Sequence, residues 1–278
     1  MPPPGRRRRG LMALALALPL AACASLPERY DAAARAAGLE RRVVPGERFR
    51  HVVYQAARAR RGGVLHIYLE GDGSPLLRRR VPSAEPTPRR PLMPRLMALD
   101  PGPKVLLGRP CYHGLAADPG CDPAFWSVAR YSDEVVESLA AAARRLIAEG
   151  GHRGAVLLGH SGGGTLALLL ARRLAGTRAV VAVAANLDTE AWTAHHRLPP
   201  LERSLNPATL APRPDGAPEL IVAGGRDRVV PPALIKGAVA RRPNARLRLY
   251  QAFDHACCWE SVWPALLAWA ESIAAAEQ

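Results

Sequence analysis

The sequence is poor in lysine and in aromatic residues. Lys104 and Lys236 are its only lysines among 38 basic residues, and aromatic residues make up 5% of the 278 positions. Apart from residues 6–9, the arginines are scattered along the chain. A nucleic-acid surface needs clustered basic charge, and a platform for single strands needs aromatic side chains on which bases stack. We therefore expect no nucleic-acid partner, despite the formal net charge of +14.

The sequence also lacks the signs of a disordered or fibrous chain. Hydrophobic residues make up 49% of it, which is too many for a disordered protein. Its 27 prolines and 24 glycines follow no period, which excludes a collagen-like chain. The length suits one large domain or two small ones, and no internal repeat is apparent.

No apolar run near the amino terminus is long enough to span a bilayer. Basic residues 6–9 precede an apolar run, residues 11–18, which ends at Pro19 and falls far short of the ~20 residues of a membrane-spanning helix. This order is typical of an export signal. Residues 20–23, with the sequence LAAC, resemble the lipobox of bacterial lipoproteins, whose cysteine is lipidated. An ordinary cleavage site with an incidental Cys23 is the alternative.

The resemblance to lipoproteins implies a signal peptide over residues 1–22 and a lipid anchor on Cys23. Two or more acyl chains hold a protein firmly on a membrane. Because Ala24 rather than aspartate follows the cysteine, the resemblance implies the outer membrane, facing the periplasm. Removing the signal takes away four arginines and no acid, so the formal charge falls from +14 to +10. Residues 8–12 also resemble a twin-arginine motif, which leaves the export route open.

The other cysteines suit an oxidising compartment. Cys111 and Cys121 lie ten residues apart in a loop rich in glycine, proline and aspartate, and export favours a disulfide between them. Cys257 and Cys258 are adjacent, and either a vicinal disulfide or a free thiol is open. No CxxC or HxxxH spacing accompanies these residues, so we expect neither a metal nor a cofactor.

Short apolar segments alternate with predicted helices along the rest of the chain. Strands are predicted at 50–55, 64–69, 105–109, 155–159, 179–184, 219–223 and 246–251, and helices at 132–148, 164–175, from 232 and at 259–276. This alternation predicts a mostly parallel, doubly wound α/β sheet covered on both faces. We expect a tether over residues 23–48, one domain over 49–278, and an irregular, cap-like insertion at 186–218. Ligands of such sheets bind beyond the carboxyl ends of the strands.

One strand-to-helix turn carries a nucleophile motif. Residues 159–163, GHSGG, fit G-x-S-x-G and lie between an apolar strand and an apolar helix. The residues that flank Ser161 must be small, since their Cβ atoms would otherwise meet neighbouring backbone in so tight a turn. The turn also leaves the Gly162 amide free to donate to an oxyanion. A phosphate-binding loop is the alternative, but the Gly-Lys-Ser/Thr that it requires is absent.

Two further residues stand where a serine nucleophile needs them. A serine hydroxyl requires a base to take its proton, and the partners follow it in the order acid, then histidine. Asp227 follows the predicted strand at 219–223, and His255 follows the one at 246–251. Asp254 could orient His255 only through a sharp bend, and His160 is too close in sequence to turn back onto the serine.

These segments together resemble the α/β-hydrolases, in particular bacterial lipoproteins with esterase- or lipase-like sequences. The resemblance covers roughly residues 50–275 and is strongest at 159–163, 224–231 and His255. It implies a serine hydrolase that cleaves a small-molecule or lipid ester through an acyl-enzyme at the cell envelope. The oligomeric state stays open, and we favour a monomer. An envelope acyltransferase using the same acyl-enzyme, and a non-catalytic binding lipoprotein, are the alternatives.

The resemblance also implies an oxyanion hole formed by Gly71, Asp72 and Gly162. Residues 70–73, EGDG, stand where many relatives carry His-Gly, and the Asp72 amide would be the second donor. A carboxylate there repels an oxyanion unless it points away or pairs with an arginine such as Arg109 or Arg130. A glycine-rich turn with structural or solvated acids is the alternative.

Several aromatic and histidine residues could lie near the site. Trp126, Trp192, Leu198 and Leu201 could cover an acyl pocket, although such residues often belong to the core. We expect His113 to be a solvated loop residue, and a place in the pocket lining is the alternative. His195 and His196 belong to the covering segment or contact the substrate.

Overall fold

The computed structural model describes residues 24–78, 80–211 and 216–276. The expected signal peptide over 1–22 and the lipidation site at Cys23 lie outside the described residues. Within them, each helix is too short or too polar to cross a membrane.

Ten strands and seven α-helices make up the described chain. The strands are β1 (Leu39–Pro45), β2 (Arg50–Ala56), β3 (Leu65–Leu69), β4 (Leu76–Leu77), β5 (Val81–Pro82), β6 (Lys104–Leu107), β7 (Ala155–His160), β8 (Thr177–Val183), β9 (Glu219–Gly224) and β10 (Ala245–Tyr250). The helices are α1 (Leu26–Ala36), α2 (Met93–Ala98), α3 (Asp133–Gly150), α4 (Gly162–Leu170), α5 (Thr189–His196), α6 (Pro232–Val239) and α7 (Trp259–Ala276), with a 3₁₀ turn at Pro123–Trp126.

Eight strands form one twisted sheet in the order β1-β2-β6-β3-β7-β8-β9-β10. Strand β2 is antiparallel to both of its neighbours. The other six strands after it in the sheet, β6, β3, β7, β8, β9 and β10, run parallel to one another. The predicted mostly parallel α/β sheet is therefore confirmed. Strands β4 and β5 form a separate small hairpin.

Alternating residues of the central strands divide the core into two layers. In β7, Leu157 belongs to the buried cluster that includes residues of α3, α4 and α6, whereas Leu158 belongs to the cluster that includes residues of α1, α2 and α7. Successive side chains of a strand point to opposite faces, and here both faces are covered, so all six residues of β7 are buried. The carboxyl ends of the parallel strands are left at one edge of the sheet for the loops that carry polar residues.

Helix α3 illustrates how local sequence sets element boundaries. The Ser132 hydroxyl accepts a hydrogen bond from the Val135 amide, and acidic residues occupy the first turn. Gly151 ends the helix in a left-handed conformation with φ 63°, which glycine adopts without a Cβ clash. This helix begins and ends close to the predicted positions.

The expected tether over 23–48 is wrong for its described part, which belongs to the domain. Helix α1 buries Tyr30 completely, and strand β1 pairs with β2 along its whole length, from Leu39 to Pro45. Strand β1 is hard to recognise in the sequence because it carries charged residues such as Arg41 and Arg42. Charges of this kind are common on edge strands, where they keep other chains from pairing with the open edge.

The segment 186–218 is more ordered than the irregular insertion that we expected. Its first part forms α5, which begins where the Asp188 carboxylate accepts a hydrogen bond from the Ala191 amide. Residues 212–215 lie outside the described residues. The proline content of the segment concealed this short helix, because its eight residues precede the prolines.

The four described cysteines form two disulfides. Cys111 and Cys121 form a disulfide with a Cα–Cα distance of 5.6 Å, and the adjacent Cys257 and Cys258 are also joined. The first disulfide closes the loop that follows β6.

Candidate active site

Ser161 alone connects strand β7 to helix α4. Its backbone has φ 54° and ψ −126°, a left-handed conformation that a side chain rarely adopts. A Cβ atom on Gly159 would lie 2.2 Å from the Gly163 carbonyl oxygen, and one on Gly163 would lie 2.1 Å from that of Leu69. The glycines of the motif are therefore required by close backbone approach, and the turn holds Ser161 at the edge of the sheet.

His255 connects Ser161 to Asp227 by two hydrogen bonds. Its Nε2 lies 3.0 Å from Ser161 Oγ, and its Nδ1 lies 2.8 Å from Asp227 Oδ2. A carboxylate only accepts hydrogen bonds, so Nδ1 carries the proton of the neutral ring and Nε2 accepts from the serine hydroxyl. This geometry can move the serine proton onto the imidazole when the oxygen attacks a carbonyl carbon.

The Asp227 carboxylate is held by backbone on its other side. The residue is buried, and its Oδ1 accepts hydrogen bonds of 2.8 Å from the amides of Val229 and Val230. Both oxygens therefore have partners, which a buried carboxylate requires. The loop after β9 thus orients Asp227 towards His255.

His160, the alternative base for Ser161, and Asp254, the alternative acid for His255, have other contacts. His160 Nε2 donates to the His255 carbonyl oxygen at 2.7 Å, and Trp259 Nε1 donates to the same oxygen at 3.0 Å. Burial and the neighbouring His255 lower the pKa of His160 to about 4, so its ring is neutral at pH 7. Asp254 accepts hydrogen bonds from the amides of Ala256 and Cys257 and shapes the turn after His255.

On the opposite side of Ser161, the Asp72 carboxylate lies in a network of buried ion pairs. Its Oδ1 accepts from Arg109, its Oδ2 accepts from Arg130 at 2.9 Å, and the Tyr131 hydroxyl donates to it at 2.8 Å. Burial by itself raises the pKa of Asp72, but the two guanidinium charges outweigh this effect and hold the pKa well below its ordinary value. The carboxylate therefore pairs with both arginines named from the sequence.

The loop that carries Asp72 passes close to the serine. A Cβ atom on Gly71 would contact that of Ser161 at 3.4 Å, and one on Gly162 would lie 1.9 Å from Asp72 Oδ1. The Gly71 amide donates to the Glu70 carboxylate at 3.3 Å and is therefore not free. The amide of Gly162 is at the first position of α4, where no carbonyl of the helix accepts it.

Glu70 fastens this loop to the rest of the domain. Its Oε2 accepts from the Tyr30 hydroxyl at 3.0 Å and from the amides of Leu92 and Met93 at 3.1 Å each. Burial raises the pKa of Glu70, and the hydrogen bonds oppose that shift. The Glu70 side chain is directed into the protein, so its role is structural. This agrees with the alternative in which the acids of this glycine-rich turn are structural.

A cavity of about 580 Å³ opens above Ser161 and His255. The loop from Glu70 to Pro75 forms one part of its wall, and Trp192, Val229 and Val230 form another. The lining residues that sequence analysis missed include Arg89, Arg90, Tyr131 and Asn186. They come from separate segments without a motif, so only the folded chain brings them together.

Of the four residues expected to cover an acyl pocket, one lines the cavity. Trp192 lines the cavity, whereas Leu198 and Leu201 are outside the described lining. Trp126 is buried and donates to the Ser83 carbonyl, as a core residue would.

Of the histidines, His113 differs from its expectation, whereas His195 and His196 lie in the 186–218 segment as expected. His113 is neither solvated nor at the cavity, because it is buried against the rings of Tyr30 and Tyr54. His196 Nε2 lies 2.8 Å from the Val229 carbonyl oxygen, and the His195 ring packs edge-on against the His196 ring. The described residues contain no cluster of three or more side chains that could hold a metal ion.

The sheet order, the serine turn and the loops at the carboxyl edge define the α/β-hydrolase fold. Solved structures of this fold resemble the chain at low sequence identity. An esterase of Pyrococcus furiosus is 14% identical, with a TM-score of 0.57 over 86% of this chain and 91% of that one. Proline iminopeptidase of Mycobacterium smegmatis is 13% identical, with a TM-score of 0.60 over 86% of this chain and 100% of that one.

A third similar structure is a bacterial membrane phospholipase A. It is 14% identical, with a TM-score of 0.55 over 89% of this chain and 91% of that one. No family model and no curated protein sequence matches the chain. The similarity therefore lies in the fold, which hydrolases of several specificities share.

Proposed function

We propose that the protein is a serine hydrolase that cleaves carboxylic esters through an acyl-enzyme on Ser161. The observation that carries this proposal is the hydrogen-bonded chain from Ser161 through His255 to Asp227. The cavity above it and the hydrolase fold support the same reading.

In the proposed reaction, Ser161 Oγ attacks the ester carbonyl while His255 Nε2 takes the hydroxyl proton. Asp227 holds the ring in the required orientation and stabilises its positive charge. The imidazolium then gives its proton to the leaving alcohol. Water, deprotonated by His255, attacks the acyl-enzyme, releases the acid and restores the serine.

The amides of Gly162 and Asp72 are the proposed donors to the oxyanion. An amide donor of this kind contributes about 3–4 kcal/mol to the transition state. A bare carboxylate beside these amides would oppose the developing charge. The pairing of the Asp72 side chain with Arg109 and Arg130 offsets that repulsion.

Replacement of the nucleophile tests this proposal. Ser161→Ala lowers kcat/KM for p-nitrophenyl butyrate by about 10⁴–10⁶-fold, as removal of a triad member does. The same variant no longer reacts with a fluorophosphonate probe, whereas the exposed control Ser272→Ala keeps both properties. Parent-like hydrolysis or labelling by Ser161→Ala contradicts the assignment.

The proposed setting is the outer membrane, to which a lipid on Cys23 anchors the enzyme. The lipobox-like residues 20–23 after a basic and apolar segment support it. In a bacterial host, labelled palmitate marks the parent protein, and Cys23→Ala abolishes the label and releases the enzyme from the membrane fraction. Equal labelling of the two proteins contradicts the anchor.

A further inference from the structure

Two adjacent arginines stand at the wall of the cavity without a counter-ion. Arg89 and Arg90 are exposed, and both line the cavity that contains Ser161. Within residues 24–78, 80–211 and 216–276, neither side chain forms an ion pair or a side-chain hydrogen bond. Their positive charges are therefore available to a ligand.

The segment that carries these arginines is fixed at both ends to the loop beside the serine. Before them, the Pro86 carbonyl accepts from the Ser74 amide at 2.8 Å. After them, the amides of Leu92 and Met93 donate to Glu70. At Pro86 the arginine segment lies so close to the loop beside the serine that a Cβ atom on Gly73 would be 2.2 Å from the Pro86 oxygen.

Prolines further limit the motion of the arginine backbone. Pro88 precedes Arg89, and Pro91 follows Arg90, so the flanking φ angles are restricted by their rings. A segment that is ordered in advance loses less conformational entropy when a ligand binds. The arginine pair therefore has the features of a binding element rather than of a mobile surface loop.

The acids of the cavity wall do not neutralise the pair. Glu70 is buried and accepts its hydrogen bonds from within the domain. Asp72 is already surrounded by Arg109 and Arg130. The wall formed by the Arg89–Arg90 segment thus keeps an excess of positive charge.

The cavity has two chemically different sides, which the strand order sets. The loop after β3 and the arginine segment attached to it lie on one side of β7, the strand that ends just before Ser161. Trp192 and Val229 follow β8 and β9, on the other side. An apolar acyl group suits the tryptophan side, and the arginine side suits a charged group on the alcohol part of an ester.

From this arrangement we infer that the preferred ester carries an anionic group, a phosphate or a carboxylate, on its alcohol part, and that Arg89 and Arg90 bind it. Guanidinium groups match both anions because their planar N–H donors pair with two oxygens at once. The inference rests on the proposed ester hydrolysis and adds the substrate class.

A matched set of esters with one acyl group tests the inference. Glycerol monobutyrate is neutral, glycerol monobutyrate 3-phosphate carries a phosphate, and 3-butyryloxypropionate carries a carboxylate. Butyrate release is measured for the parent, for Arg89→Gln/Arg90→Gln and for the control Arg60→Gln/Arg61→Gln. The control removes an equal charge from an exposed pair before β3, at the opposite end of the sheet from Ser161.

We expect Arg89→Gln/Arg90→Gln to lower kcat/KM at least about tenfold for the phosphate or carboxylate ester and less than about twofold for the neutral ester. The ester that loses most identifies the anion. The control leaves all three values within about twofold. Equal losses on all three esters, no loss on any, or the same selective loss in the control overturns the inference.

Binding to an inactive variant separates this inference from the proposed function. Ser161→Ala is titrated calorimetrically with glycerol monobutyrate 3-phosphate and with 3-butyryloxypropionate, with and without the Arg89→Gln/Arg90→Gln changes. Arginine-dependent binding to Ser161→Ala, together with a parent that hydrolyses no ester, retains the anion site and rejects the proposed hydrolase. Ester hydrolysis whose rate and binding ignore the arginines retains the hydrolase and rejects the anion site.

Discussion

Two sides of Ser161 are built in different ways. On the His255 side, three residues at strand ends form a short hydrogen-bonded chain, and backbone amides complete the shell of Asp227. On the Asp72 side, a carboxylate, two arginines and a tyrosine from separate segments form a buried ionic network. Both arrangements join residues that are distant in sequence, but each residue of the first stands directly beyond a strand, whereas the second brings together charged residues of separate loops.

The difference has an energetic consequence. The carboxylate of Asp227 is stabilised by neutral donors, so an amide of the same shape can replace it with a modest loss of stability. Asp72 is taken out of water together with Arg109 and Arg130, and burial of charges is favourable only while each has its partner. We therefore expect changes on the two sides to separate activity from stability.

The largest expected effect is on activity alone. Asp227→Asn keeps an acceptor for the Val229 and Val230 amides but favours the wrong tautomer of His255, so kcat falls about 10⁴-fold. Its unfolding free energy in urea changes by about 1 kcal/mol. The control Asp254→Asn retains activity. A small loss of kcat in Asp227→Asn would contradict the role of this acid.

The next effect is on stability. Asp72→Asn leaves Arg109 and Arg130 buried without a counter-charge and lowers the unfolding free energy by about 3–5 kcal/mol in urea titrations. The lowered pKa of Asp72 means that its contribution is present above the ordinary carboxyl pKa and is lost on acidification through its folded pKa. Unchanged stability of the variant at pH 7 would show that the network is not needed for the fold.

A smaller effect concerns the disulfide after β6, whose two cysteines lie between Arg109 and Arg130 in sequence. Cys111→Ser/Cys121→Ser lowers the unfolding free energy by about 2–3 kcal/mol, because the unfolded chain gains the freedom of the opened loop. Cys257→Ser/Cys258→Ser is the matched comparison and costs less, since adjacent residues close no such loop. Equal losses in urea unfolding would reject this account.

The smallest effect, counted per pH unit, concerns His160, which donates to the His255 carbonyl. Its lowered pKa, about 4, means that between pH 6.5 and 4 the unfolded state binds a proton that the folded state does not. Stability therefore falls on acidification by about 1.4 kcal/mol per pH unit from this group. His160→Asn flattens the measured slope by that amount, whereas the exposed control His195→Asn leaves it unchanged. An unaltered slope in His160→Asn contradicts the burial of a neutral ring.

Sequence reasoning reached the parallel sheet, the serine turn and the positions of Asp227 and His255. Each of these rests on local order: apolar runs of strand length, glycines beside Ser161, and polar residues directly after strands. The same reasoning missed β1 and α5, whose short or charged sequences resemble loops. It also misplaced His113, because the aromatic rings that bury it come from distant parts of the chain.

The chain's local patterns thus specify the fold class and the three side chains proposed to act on an ester. They do not specify that Asp72 would meet both Arg109 and Arg130, which are 37 and 58 residues away, or that Arg89 and Arg90 would face the same cavity as Ser161. Those relations depend on which loops the sheet order brings together at one edge. Strand periodicity and turn chemistry act over a few residues, whereas the pairing of buried charges is settled only when the whole sheet has formed.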